Sequence, residues 1–236
     1  MPYTRSHYDP QSGLGGRITP GVKGLIIANV AVFALQVLTD QGPERGAMHL
    51  QFGLMPAEAF GSLRLWQLVT YMFLHATNWL THLLLNMLML WMFGTEVERR
   101  IGTRRFLFYY FLCGIGAGLV TCLVFQHSRT IGASGAVFGV MLAYGMLFPN
   151  RQILFWFIFP MRAISFVLLC AGIELFSLLG LNDGVAHTAH LGGMLFGYLY
   201  LRRAWRVREI WNDLRWKLRR RRFRVMRDDD EKYRFH

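Results

Sequence analysis

The sequence predicts an all-α membrane protein whose single membrane domain crosses the bilayer six times. Of its 236 residues, 53% are hydrophobic and only 17% are charged, whereas soluble domains carry about 25% charged residues. A hydrocarbon core of about 30 Å needs roughly 20 apolar helical residues. Apolar segments recur along the whole chain, at about 21–39, 78–97, 106–126, 134–149, 163–181 and 186–204. The fourth is short, so we expect its first turn to start below the membrane surface, inside a cavity lined by protein.

The distribution of basic residues predicts that both termini lie in the cytoplasm. The chain has a net charge of +12, and 14 of its 26 Lys and Arg residues follow Leu201. When the predicted spans alternate across the bilayer, only Arg45, Arg64 and Arg129 fall on the side opposite the termini. Because Lys and Arg accumulate on the cytoplasmic side of membrane proteins, the richer side is assigned to the cytoplasm.

Outside the spans, the sequence predicts two polar ends and a long first loop. Residues 1–20 form a polar cytoplasmic N-terminus, 21–204 the membrane domain, and 205–236 a basic cytoplasmic tail. We interpret the tail as a topology determinant that contacts anionic membrane lipids, and not as a nucleic-acid site. The loop over about 40–77 contains aromatic and aliphatic residues, so we expect it to be partly helical and to lie in the membrane interface.

Four polar residues recur at similar depth in three of the predicted spans. With the amino terminus inside, the second, fourth and sixth spans all run from outside to inside. His82 and Asn86 then lie near the outer end of the second span, Ser134 opens the fourth, and His190 lies about one turn into the sixth. These residue types suit acyl transfer, because a histidine can take the proton of a serine nucleophile. His82 and Asn86 share a helical face and can donate hydrogen bonds to an oxyanion, together with the backbone N–H of Ser134.

Other readings of the same residues remain open at this point. Ser134 lies in a small-residue run, which in membranes is commonly a helix-packing face, and Asn86 could join helices by a hydrogen bond. His187 and His190 form H-x-x-H, which with His82 could hold zinc, although the H-E-x-x-H arrangement of zinc proteases is missing. A transporter would favour two repeated halves, and none is visible. A non-catalytic protein that binds membrane helices is the remaining alternative.

The order of the motifs resembles one known family. The chain contains H-x-x-x-N, G-x-x-x-E-x-x-x-G, G-x-S-G and A-H-x-x-G in sequence, at His82–Asn86, Gly94–Gly102 (with Glu98), Gly132–Gly135 and Ala189–Gly193. In these motifs the chain resembles the rhomboid intramembrane serine proteases of the basic six-span bacterial type, over about 24–204.

This resemblance implies the fold, the chemistry and the location. It implies a six-helix rhomboid-like bundle in the inner membrane, with Ser134 as nucleophile, His190 as general base, and His82 and Asn86 in the oxyanion hole. It also implies transmembrane protein substrates and no metal or cofactor. One departure concerns the first loop, where many relatives have Trp-Arg and this chain has Trp66-Gln67.

Five further expectations concern packing and the surroundings of the site. The glycines after His190 should pack the sixth span closely on the fourth. We expect Glu98 to fix the loop that follows it, Glu174 to form hydrogen bonds within the fifth span, and His187 to line the mouth of the cavity. The aromatic run before Pro160 should anchor its segment at the inner membrane surface.

Overall fold

The computed structural model describes residues 17–39, 46–77, 79–155, 158–180 and 184–220. The chain divides into two compact units, Met1–Leu199 and Tyr200–His236. Most of the polar N-terminus and the end of the basic tail lie outside the described residues, as do Trp156 and Phe157 of the aromatic run.

Helices dominate the described chain, joined by one short hairpin. The α-helices are α1 (Pro20–Thr39), α2 (Ala47–Phe52), α3 (Pro56–Gly61), α4 (Gln67–Thr70), α5 (Leu80–Met89), α6 (Thr95–Ile101), α7 (Thr103–Val124), α8 (Ser134–Leu147), α9 (Ala163–Gly180) and α10 (Gly184–Arg220). A 3₁₀ turn, Tyr71–Phe73, follows α4, and a π-helical turn, Leu90–Gly94, joins α5 to α6.

The helices confirm the predicted membrane bundle. Among the described residues, four stretches are long and apolar enough to cross a bilayer: α1, Leu80–Ile101, α7 and α9. Helix α8 has only 14 residues, as expected for the short fourth span. The sixth predicted span forms the first part of α10, which continues without a break to Arg220.

A β-hairpin between α8 and α9 was not predicted. Strands β1 (Gln152–Phe155) and β2 (Phe159–Arg162) pair antiparallel, with Ile153 opposite Met161. Ile153 is buried, whereas Phe159 is exposed. Strands of four residues are too short to show a clear alternation of apolar and polar residues, so the sequence pattern does not reveal them.

Glu98 ties the start of α1 to α6 and α7. Its Oε1 accepts hydrogen bonds from the Gly21 N–H (2.8 Å) and the Thr103 hydroxyl (2.7 Å). Its Oε2 accepts from the Val22 N–H (2.8 Å) and the Thr19 hydroxyl (2.5 Å). The contact with Thr103 agrees with the prediction that Glu98 fixes the following segment. Its main role, satisfying the free N–H groups at the start of α1, was missed.

Glycines allow α8 to approach α7 and α10 closely. A Cβ on Gly193 of α10 would overlap the backbone of Gly135 in α8, and one on Gly139 would lie 2.5 Å from the sulfur of Cys113 in α7. The predicted packing of the sixth span on the fourth is therefore confirmed at Gly193, whereas a Cβ on Gly192 or Gly197 would meet α7 instead.

The first loop contains α2, α3 and α4, which confirms that it is partly helical. Arg129, in the loop between α7 and α8, donates hydrogen bonds to the carbonyls of His49 (3.2 Å), Leu50 (2.8 Å) and Gly53 (3.2 Å). It also forms an ion pair with Glu58 at 2.9 Å. This arginine therefore fastens the first loop to the segment that leads into α8.

Gln67 lies at the position in the first loop where the sequence departs from the family that it resembles. It is fully buried; its Oε1 accepts from the Met55 N–H (3.1 Å) and its Nε2 donates to Glu58 (3.3 Å) and to the Gln51 carbonyl (3.4 Å). Burial raises the pKa of the Glu58 carboxyl, but the hydrogen bond from Gln67 and the charge of Arg129 outweigh this, so that its pKa lies below the ordinary value. The side-chain amide of Gln67 and the guanidinium of Arg129, which lies in the loop between α7 and α8, thus hold the first loop together by hydrogen bonds.

Candidate active site

A cavity of about 570 Å³ opens between the helices, and all four residues predicted for the site line it. Ser134 comes from α8, His190 from α10, and His82 and Asn86 from α5. Sequence positions as far apart as 82 and 190 therefore meet at one place. Most of the remaining wall is apolar, which keeps the few polar groups in a site of low dielectric constant.

The backbone before Ser134 takes a conformation that glycine permits. Gly132 has a φ of 118°, and its N–H donates a hydrogen bond to the Tyr71 carbonyl at 2.9 Å. A Cβ there would also lie 3.0 Å from the ring of His82. Ser134 is the first residue of α8, so its own N–H has no acceptor within the helix and is available to a ligand.

An aromatic ring orients His190. The imidazole stacks on the ring of Phe138, with centroids 4.2 Å apart and planes 7° from parallel. Because Phe138 lies four residues after Ser134, both project from one face of α8. No hydrogen bond joins Ser134 to His190 within the described residues; in enzymes without substrate such contacts are commonly long and tighten when substrate binds.

His82 and Asn86 lie one helical turn apart at the cavity wall. The Asn86 amide is buried and donates one hydrogen bond to the His82 carbonyl at 2.8 Å. A primary amide has two N–H groups, so a second donor remains for a group in the cavity. The ring of His82 lies beside Gly132, two residues before Ser134, since a Cβ on this glycine would lie 3.0 Å from it. Donors from α5 and from the start of α8 therefore face the same space.

Glu174, a carboxylate near the site, makes other contacts than the sequence led us to predict. We predicted that Glu174 would form hydrogen bonds within the fifth span, but its Oε2 instead reaches α10, 2.6 Å from Nδ1 of His187 and 3.0 Å from Nδ1 of His190. His187 does not line the cavity, so that expectation was wrong. The signal that could have identified Glu174 is its position as an ionisable residue inside an apolar span.

The side chains that could hold a metal ion are not the three histidines suggested by the sequence, His82, His187 and His190. Glu174, His187 and His190 have ligand atoms within 4.8 Å of one another, and His82 is not part of this group in the described chain. Cys113 and Cys122 are buried and form no disulfide within the described residues, and buried free cysteines behave as small apolar side chains.

The family assignment comes from the sequence as a whole. The chain matches the model of the Rhomboid domain over residues 62–206, which contain all the site residues described above. This chain belongs to the rhomboid family. Membership agrees with the helical membrane bundle described above.

Curated relatives of this rhomboid protein come from plants, yeast and a parasite. It is 30% identical to RHOMBOID-like protein 2 of Arabidopsis thaliana, over 77% of this chain and 56% of the relative. It is 30% identical to the mitochondrial Rhomboid protein 1 of Saccharomyces cerevisiae, over 84% of this chain and 57% of the relative. It is 29% identical to Rhomboid-like protease 3 of Toxoplasma gondii, over 73% of this chain and 65% of the relative. In each case the match spans less than two thirds of the relative's length.

Proposed function

We propose that this rhomboid protein is a serine endopeptidase that cleaves transmembrane proteins within the membrane. Ser134 Oγ attacks the scissile carbonyl while His190 takes the hydroxyl proton on Nε2. His190 then returns this proton to the departing amine, and water releases the acyl group from Ser134. The observation that supports the proposal most directly is that the same cavity is lined by all four residues, Ser134, His190, His82 and Asn86.

The oxyanion of the tetrahedral intermediate needs hydrogen-bond donors that are already in place. His82, the second N–H of Asn86 and the backbone N–H of Ser134 are available for it. Each donor in such a hole is worth about 3–4 kcal/mol of transition-state stabilisation. The chemistry requires no metal or cofactor, because the nucleophile, the base and the oxyanion donors are all supplied by the protein.

The substrate and the location follow from the same proposal. A transmembrane helix of the substrate enters laterally, and water reaches Ser134 from the outer side of the membrane. We infer that both termini lie in the cytoplasm, because only Arg45, Arg64 and Arg129 fall on the opposite side. From the resemblance to the six-span bacterial rhomboid proteases, we further infer that the protein lies in the inner membrane. Lipids with anionic headgroups contact the basic tail.

The test is proteolysis and active-site labelling by purified variants. We expect Ser134→Ala and His190→Ala to abolish both cleavage of a model transmembrane substrate and reaction with a fluorophosphonate probe. His82→Ala and Asn86→Ala should retain slow turnover, about 100- to 1,000-fold below the wild type, because each removes one oxyanion donor. His127→Ala is the matched control, since this histidine is exposed in the loop before Ser134.

Three outcomes would count against the proposal. Substantial cleavage by Ser134→Ala protein, free of wild-type enzyme, would exclude Ser134 as the nucleophile. Loss of wild-type activity in EDTA, restored by zinc alone, would favour a metal enzyme. An inactive wild-type protein that still binds transmembrane segments would support the non-catalytic alternative.

A further inference from the structure

A buried carboxylate lies behind the proposed general base. Glu174 projects from α9 towards α10, and its Oε2 is 3.0 Å from Nδ1 of His190. Both side chains are largely buried, with 12% of the Glu174 side chain and 15% of the His190 side chain exposed. Glu174 does not line the cavity, whereas His190 does. The carboxylate can therefore act on a substrate only through the imidazole.

The chemistry proposed for His190 requires a proton on the nitrogen that faces Glu174. To accept a proton from Ser134, the imidazole needs a free lone pair on Nε2, so the neutral ring must carry its proton on Nδ1. Nδ1 of His190 is buried and has no well-aligned hydrogen-bond partner within the described residues. Burying an N–H donor without an acceptor is costly, and Glu174 Oε2 is the acceptor within reach.

A second histidine shares the same oxygen. Nδ1 of His187 lies 2.6 Å from Glu174 Oε2 and makes the shorter contact in this structure. Because a carboxylate oxygen has two lone pairs, it can accept from both rings. A small rotation of the His190 ring about its stacking contact with Phe138 would align its N–H with Oε2, since the distance already suits a hydrogen bond.

We propose that Glu174 is a positioning residue for His190. It accepts the Nδ1–H hydrogen bond, selects the tautomer whose Nε2 is free, and stabilises the imidazolium that forms when Ser134 attacks. The proton moves from Ser134 Oγ to His190 Nε2 and then to the leaving amine, while Glu174 remains ionised throughout. This inference rests on the proposed function, and it adds a residue from the fifth span to the serine–histidine pair.

Two other roles of the Glu174, His187 and His190 cluster make different predictions. As a metal site, its donors would sit about 3.3 Å apart around a tetrahedral ion with bonds of about 2.0–2.1 Å. The observed separations of 2.6 and 3.0 Å are those of hydrogen bonds. As a structural contact, Glu174 would join α9 to α10 mainly through His187, and the stability of the protein would depend on both residues.

The experiment compares Glu174→Gln with His187→Phe and with Glu98→Gln, which removes a buried carboxylate outside the cavity. For each variant, kcat and KM are measured on a transmembrane substrate, with the rate of fluorophosphonate labelling and the Tm. We expect Glu174→Gln to lower kcat and the labelling rate by about 10- to 100-fold, with KM within about twofold. His187→Phe and Glu98→Gln should keep kcat within about threefold at a temperature well below their Tm.

The outcomes separate the proposals. An active Glu174→Gln enzyme with kcat within about twofold of the wild type would overturn the positioning role alone. An equal loss of kcat and Tm in Glu174→Gln and His187→Phe would favour the structural contact, and activity that depends on zinc would favour a metal site. A wild-type protein that neither cleaves nor labels would instead overturn the proposed function.

Should Glu174→Gln fail to fold, nuclear magnetic resonance of wild-type protein labelled with ¹⁵N-histidine tests the same proposal. The His190 signal is identified by its loss in His190→Ala. We expect the neutral ring to carry its proton on Nδ1, with a strongly deshielded N–H proton. A ring with its proton on Nε2 would overturn the proposal.

Discussion

Glu98 offers the sharpest test of how this membrane bundle is held together. Four donors converge on its two oxygens, two of them the backbone N–H groups of Gly21 and Val22 at the start of α1. The substitution Glu98→Gln keeps the size of the side chain. It replaces one oxygen by an amino group, so whichever oxygen is lost, one backbone N–H of α1 then faces another donor.

The size of the effect follows from these contacts. A hydrogen bond to a charged group contributes about 1.5–3 kcal/mol. The hydroxyls of Thr19 and Thr103 can rotate to accept from the new amino group, whereas the backbone N–H groups cannot. We therefore expect Glu98→Gln to lower the free energy of unfolding by about 2–4 kcal/mol, and Thr103→Val, which removes one hydroxyl contact, by about 1 kcal/mol.

Thermal unfolding in detergent micelles measures this difference. For a protein of this size, about 1 kcal/mol corresponds to about 2–4 °C in Tm. Glu98→Gln should therefore melt about 5–15 °C below the wild type, and Thr103→Val about 2–4 °C below it. A Tm for Glu98→Gln no lower than that of Thr103→Val would refute the view that the carboxylate holds the start of α1.

Three further predictions concern other parts of the bundle. Glu58→Gln should lower the Tm near neutral pH. Because the folded-state pKa of Glu58 is lowered, its stabilisation is complete above the ordinary pKa, and the difference from wild type should shrink as the pH falls below about 4. Gly193→Ala should destabilise by about 1–3 kcal/mol or more through overlap with the backbone of α8, whereas Gly172→Ala, with open space around it, should be neutral or stabilising. In a cysteine-free background, His127→Cys should react with an impermeant thiol reagent on intact spheroplasts, and Arg100→Cys only after permeabilisation. The reverse labelling would contradict the proposed topology.

The sequence was enough to predict the bundle and the gathering of the four cavity residues. The order of the apolar spans and their alternation across a bilayer predict that the second, fourth and sixth run in the same direction, which brings His82, Ser134 and His190 to one depth. Depth along a helix follows from counting residues, because the rise per residue is fixed.

The features that the sequence did not reveal depend on the rotation of a helix about its axis, on pairing between distant segments, or on small changes in helix geometry. Helix α9 is apolar nearly all round, so its sequence gives no preferred face to Glu174. The ion pair between Arg129 and Glu58 joins residues 71 positions apart, and no local pattern indicates such a pairing. The π-helical turn Leu90–Gly94 has the composition of an ordinary apolar helix, so its sequence does not distinguish it from an α-helix.

The loop that leads into Ser134 is held by backbone hydrogen bonds to the first loop. Leu54 and Thr130 exchange two backbone hydrogen bonds, of 3.0 and 2.9 Å, and the N–H of Gly132 bonds to the Tyr71 carbonyl. Arg129 adds its contacts to the carbonyls of the same loop. A shift of the first loop would therefore carry the backbone before Ser134 with it and move the N–H that we assign to the oxyanion hole. Since such donors act only when already in place, we expect substitutions that shift the first loop to slow the proposed reaction.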